Sequence, residues 1–261
     1  ERNAIHLDGV ISITPSVVQD ILAIVGPITL ADGTVLDGSN ATRVLQHDIY
    51  WKYLSNGADP EGTGLAVTDA LFAQAAHETF NKLFENLNSA TMIKFASCMA
   101  QNMENRTVMF WLTDAGEQAM LASLGCSGAL NSDSSKPELG VFYSAWIGSK
   151  MGWYVDIDNE VLESHKNADG SYTYKVKTVF ADNATPEEIA AGGWYIIGDF
   201  DNYEYGVLYP VLFIYAPAGG SISNFESNAD AGFVTMQHNG LQVLRSWEPR
   251  LRPGEPIVCT Y

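Results

Sequence analysis

The apolar positions of the chain follow two different periods. In residues 1–130 they recur mostly every three or four residues, the spacing of a helix face. In residues 139–261 they alternate, the spacing of a half-buried strand. Residues 10–13 are β-rich. Thr14 and Pro15 then make a helix start, with a hydroxyl at the N-cap and a first helical residue that needs no N–H. Val17, Val18, Ile21, Leu22 and Val25 mark one buried face, and Gly26-Pro27 ends that helix. Residues 28–30 and 35–36 flank Asp32-Gly33, a pair that predicts a hairpin. Residues 40–54 predict a second helix, with Leu45, Ile49 and Tyr53 four apart. Residues 67–87 predict the longest helix, with an apolar stripe of Phe72, Ala76, Phe80, Leu83 and Leu87, and 89–102 predict another. The continuous apolar run 107–112 predicts a buried strand. Asp114 and Glu117 form a capping-box pattern that opens a short helix, closed by Gly125.

Residues 131–138, rich in Ser and Asp with one Pro, mark the expected boundary between a domain at 1–130 and one at 139–261. Strands are predicted at 153–157, 172–180, 207–215, 232–236, 241–247 and 256–261. Asp169-Gly170, Asn183-Ala184, Asn239-Gly240 and Pro253-Gly254 supply turns between them. The fold class expected is α+β: a mixed helix and strand domain, then an antiparallel β-sandwich-like domain.

Composition narrows the function. The 261 residues carry a formal net charge of -17. Residues 1–150 hold 8 basic and 16 acidic side chains and residues 151–261 hold 6 and 15, so the acidity is spread evenly. A nucleic-acid backbone is repelled by such a surface, and so is an anionic bilayer face. No run of about 18 apolar residues is present, and no membrane contact is expected within these residues. The chain opens on Glu1 and ends within an expected strand, which suggests a piece of a longer precursor. Cys98, Cys126 and Cys259 stand in no Cys-x-x-Cys or Cys/His cluster, so a zinc site is not expected. A Cys98–Cys126 disulfide and three buried free thiols are the two alternatives.

Chemistry-bearing patterns are sparse. His47-Asp48 and His77-Glu78 are neighbours on expected helices, where adjacent side chains diverge. There is no HExxH, GxSxG or GxxxxGK[ST], so zinc hydrolysis, a nucleophile elbow and a phosphate cradle are not supported. No metal and no cofactor is expected. Residues 194–209, WYIIGDFDNYEYGVLY, combine aromatics, carboxylates and glycine. Trp194, Tyr195, Tyr203 and Tyr205 are candidates for stacking on sugar rings, against the alternative that they pack a sheet. Arg245, Arg250 and Arg252 form the one basic cluster, expected to make salt bridges on the acidic surface rather than an anion site.

The segments DGVISITPSVVQDILAIVGPITL (8–30), LDGSN (36–40), HDIYWKY (47–53), TVMFWLTDAGEQAMLASLGCSGAL (107–130), GSKMGWYVD (148–156), APAGGSI (216–222) and LRPGEP (251–256) resemble the domain of unknown function 4012 family of actinobacterial envelope proteins. The resemblance covers nearly the whole chain and implies an extracytoplasmic protein, secreted or membrane-anchored, with an upstream transmembrane anchor and no assigned activity. Residues 8–90 are also similar to the back half of LytR-CpsA-Psr phosphotransferases. That family holds a pyrophosphate with arginines, and only Arg43 lies near the matching places 47–50 and 68–74. The expectation is therefore an envelope protein that binds a cell-surface glycopolymer or a partner protein without catalysis. The rivals are a phosphotransferase completed by an upstream segment and a structural module of a larger surface protein.

Overall fold

A computed structural model describes residues 6–261, and it divides into two compact units. Among the described residues, the first comprises 6–53 and Glu61–Ala129; the second comprises Leu54–Pro60 and Leu130–Tyr261. Helices and antiparallel strands are mixed, and the chain is α+β.

The first unit opens with β1 (Gly9–Ile13), α1 (Pro15–Val25), and the hairpin β2 (Ile28–Thr29) and β3 (Val35–Leu36). Helix α1 starts and stops where the sequence predicts. Its N-cap Thr14 makes no capping hydrogen bond, however, because the hydroxyl meets that of Ser16 at 2.6 Å. Gly26 closes α1 at φ 88°, where only glycine is unstrained, with its N–H on the Leu22 carbonyl. The hairpin turns at Asp32-Gly33 as expected, with Ile28 opposite Leu36.

The second predicted helix is three pieces: α2 (Ala41–Arg43), a π turn at Val44–Asp48 and α3 (Ile49–Leu54). Next come α4 (Gly64–Glu85), α5 (Ser89–Glu104), β4 (Val108–Leu112) and α6 (Ala115–Ser123). The buried line of α4 runs through Thr68, Leu71, Ala75, Thr79 and Leu83, and not through the expected Phe72, Ala76 and Leu87. Small residues on that line let the helix approach its neighbours closely, and the bulkier phenylalanines lie at its margin. Phe80, Phe95 and Met99 pack around the buried cluster of Val17, Ile21, Leu83 and Val108.

Strand β4 pairs only with β1, antiparallel, with Gly9 opposite Leu112. Its expected burial is only partly realised: Val108 is enclosed but Trp111 is 52% exposed. Asp114 caps α6 by accepting from the Gly116 and Glu117 N–H groups.

The second unit holds two antiparallel four-stranded sheets, as the sandwich-like expectation requires. Its elements are β5 (Gly140–Ala145), a 3-10 turn at Met151–Tyr154, β6 (Val155–Lys166), β7 (Tyr172–Asp182), α7 (Pro186–Ala191) and α8 (Trp194–Ile197). They continue with β8 (Pro210–Tyr215), β9 (Glu226–Ser227), β10 (Phe233–His238), β11 (Leu241–Ser246) and β12 (Ile257–Thr260). One sheet has the order β10-β11-β8-β5 and the other β6-β7-β12-β9. The strand predicted at 153–157 begins as the 3-10 turn, and β5, β9 and most of β6 were not predicted. β6 is exposed along almost its whole length, so it carries no apolar alternation; its pairing with β7 holds it. Residues 194–209 are not a sheet. They form α8, bounded by Gly193 at φ 79° and Gly198 at φ 83°, and a loop leading to β8.

All three cysteines are free thiols, with Cys126 and Cys259 buried and Cys98 half-buried.

Candidate functional site

The sequence candidates fall in different places. Arg43 belongs to the first unit, at the start of the π turn. Its Nε lies 3.2 Å from Asp48 Oδ1, and His47 Nδ1 is 2.7 Å from the same oxygen. The expected divergence of His47 and Asp48 thus fails: consecutive side chains in a wider π turn are separated by a smaller angle than in an α-helix. Among the described residues no group of three or more His, Cys, Asp or Glu side chains is placed to hold a metal ion.

The four aromatic candidates, all in the second unit, form no single platform. Trp194 on α8 packs edge-on against Tyr195 at 5.2 Å and Phe200 at 5.8 Å. Lys150 Nζ stands 5.4 Å from the centre of the Tyr195 ring. Tyr205 is tied to α7, its hydroxyl donating to the Ile189 carbonyl at 2.7 Å. Tyr203 behaves differently. It packs edge-on against Tyr209 at 4.7 Å, its hydroxyl accepts from Trp146 Nε1–H at 3.0 Å, and it lines an open cleft.

That cleft is open and has a volume of about 590 Å³. Three separate segments build it. The loop from α8 to β8 brings Tyr203, Glu204 and Tyr209; the loop from β9 to β10 brings Asp230; the chain leaving β11 brings Trp247, Glu248 and Arg250. Two tyrosines and a tryptophan supply flat apolar surface, and the remaining side chains supply charge. Trp247 is 53% exposed, with the Arg245 guanidinium 4.1 Å from its ring centre.

The charges are mostly tied to one another. Arg250 reaches Glu204 Oε1 at 2.9 Å through Nη1 and pairs with Asp230 Oδ2 through Nε. Its backbone N–H donates to Asp230 Oδ1 at 2.9 Å. Arg252 grips Glu204 with Nη2 at 2.8 and 2.9 Å from the two carboxylate oxygens. The two arginines hold the Glu204 carboxyl below its usual range, Arg252 most of all. Burial alone would raise Asp230, but the Arg250 backbone N–H and guanidinium outweigh it and lower it. Of the basic cluster, then, Arg250 and Arg252 make the expected salt bridges, while Arg245 stacks on an indole.

Glu248 stands apart. It is half-buried, lines the cleft, and no hydrogen bond or ion pair engages its carboxylate among the described residues. Its backbone has φ 43°, a region costly for a residue with a Cβ, and it precedes Pro249.

Sequence reasoning reached Tyr203 and the segment that carries Glu204 and Tyr209, and missed Asp230, Trp247 and Glu248. Nothing in their local pattern marks them, because they become neighbours only through β9, β10 and β11.

The family model described as "Protein of unknown function (DUF4012)" matches residues 1–50, which bears out the resemblance to that family over this stretch. Neither a curated protein nor a solved structure matches the chain.

Proposed function

We propose, from the premise that residues 1–50 carry the pattern of a family with no assigned activity, that this is an extracytoplasmic, envelope-associated protein that binds a cell-surface glycopolymer without catalysis. The cleft of Tyr203, Tyr209 and Trp247 is its binding site. The observation that carries this reading is the meeting of three aromatic rings with fixed polar groups in one open groove. Sugar rings present apolar C–H faces to aromatic side chains and hydroxyls to carboxylates and guanidinium groups. An open groove also admits one unit of a long chain, whereas small-molecule sites enclose most of their ligand.

Binding is favoured over hydrolysis by the state of the carboxylates. Glycoside cleavage needs a carboxylic acid kept protonated to donate to the leaving oxygen. The arginines push Glu204 and Asp230 the other way, toward the ionised form. The phosphotransferase alternative gains nothing from Arg43, whose guanidinium is paired with Asp48.

Titration with purified envelope polysaccharide, followed by tryptophan fluorescence and calorimetry, tests the proposal. Trp247→Ala and Tyr203→Ala are each expected to weaken binding about tenfold or more, the loss typical of a central aromatic anchor. Affinity unchanged in both variants would refute the assignment of the cleft.

A further inference from the structure

Resting on the glycan-binding reading, we infer that Glu248 makes the cleft selective for a sugar bearing a free, protonated amine. The argument starts from which charges remain available. Glu204 is held by Arg250 and Arg252, and Asp230 by Arg250, so these four groups largely neutralise one another. Arg245, the other cation nearby, lies against the Trp247 ring and is not part of the cleft lining. Among the lining residues Glu248 is left as the carboxylate without a counter-ion, half-buried in the cleft lining.

A half-buried carboxylate without a counter-ion suits an ammonium group. The carboxylate accepts its N–H bonds and supplies the opposite charge. An acidic sugar would meet Glu248 with like charge, on a chain whose net charge is -17. A neutral sugar would stack equally well but would leave the carboxylate without a donor beyond a hydroxyl. The backbone at Glu248 is left-handed, φ 43°, ahead of Pro249.

The test uses two soluble probes of equal length, oligomers of glucosamine and of N-acetylglucosamine, titrated calorimetrically against the protein at mildly acidic pH. The amine form is expected to bind at least about fivefold more tightly, as one partly desolvated ion pair allows. Glu248→Gln is expected to erase that preference, so that in this variant the amine form binds no more tightly than the N-acetylated oligomer. Trp247→Ala is expected to weaken both. Equal affinities for the two oligomers in the unaltered protein, or a preference that survives Glu248→Gln, would overturn the inference and leave the glycan-binding reading standing. Binding of neither probe, nor of envelope polysaccharide, would overturn both. Circular dichroism of each variant separates loss of binding from loss of fold.

Discussion

At the scale of single residues, Asp182 is the side chain least at ease in the molecule. It ends β7 at 2% exposure; one oxygen accepts the Ala184 N–H at 2.9 Å and the other has no hydrogen-bond partner among the described residues. Burial, with the charge of Glu188 adding to it against the Ala184 bond, pushes its carboxyl from 3.8 up to about 6. Between those two values the folded chain binds a proton that the unfolded chain has released. Stability therefore falls as pH rises from about 4 to about 6 and stays lower above, by roughly 2–3 kcal/mol in all. Asp182→Asn removes the buried charge and keeps the acceptor for Ala184. It is expected to stabilise the protein by about 1–2 kcal/mol at neutral pH, the new amide N–H offsetting part of the gain. Near pH 4 the gain should vanish. Urea unfolding of both proteins at the two pH values measures this, and a variant less stable than its parent at neutral pH would rule the account out. Asp32 is the opposite case. Burial would raise it, but Lys52, Thr34 and Tyr53 all donate to it and hold it well below the usual range. The sequence marked Asp32 as a turn residue; its role as an anchor depends on α3 returning to the hairpin.

At the scale of elements, local signals succeeded where the cause is local. Helix α1 begins at Pro15 and stops at Gly26 because backbone chemistry at those residues permits nothing else. The face of α4 was misjudged because Thr and Ala can line a buried face when the neighbour is close, and closeness is not written in hydropathy. Close packing also governs Gly38. A Cβ there would come within 2.6 Å of Ala23 Cα and Cβ on α1, so the residue must be glycine for space rather than for φ. Gly38→Ala is expected to destabilise the first unit by about 2 kcal/mol, since the nearest atoms include backbone that cannot swing away. Thermal unfolding gives the value, and a melting temperature unchanged from the parent would show that α1 and this loop are not in contact. The β6–β7 hairpin shows the reverse limit. The exposed strand β6 needs no apolar face, so hydropathy gave no reason to expect its twelve residues.

At the scale of the whole molecule, 31 acidic against 14 basic side chains set the behaviour in solution. Like charges spread along a compact chain repel, and salt screens them over about 8–10 Å. Raising sodium chloride from a few millimolar to physiological strength is expected to raise the melting temperature by a few degrees. A fall would mean that the ion pairs around Glu204 outweigh the general repulsion. The same excess of acid argues for a neutral or cationic ligand, as the cleft does. The α+β class, the start and stop of α1, the Asp32-Gly33 turn and the absence of phosphate-binding and nucleophile motifs were determined by the sequence alone. Each follows from residues a few positions apart, and short-range sterics and hydrogen bonding fix those before any tertiary contact forms. The cleft was decided only by the tertiary structure. Tyr203, Asp230 and Glu248 are distant in the chain, and their contact depends on which strands pair and which side chains take up Arg250. Long-range pairing is a property of the packed whole, so no local pattern in the sequence could announce it.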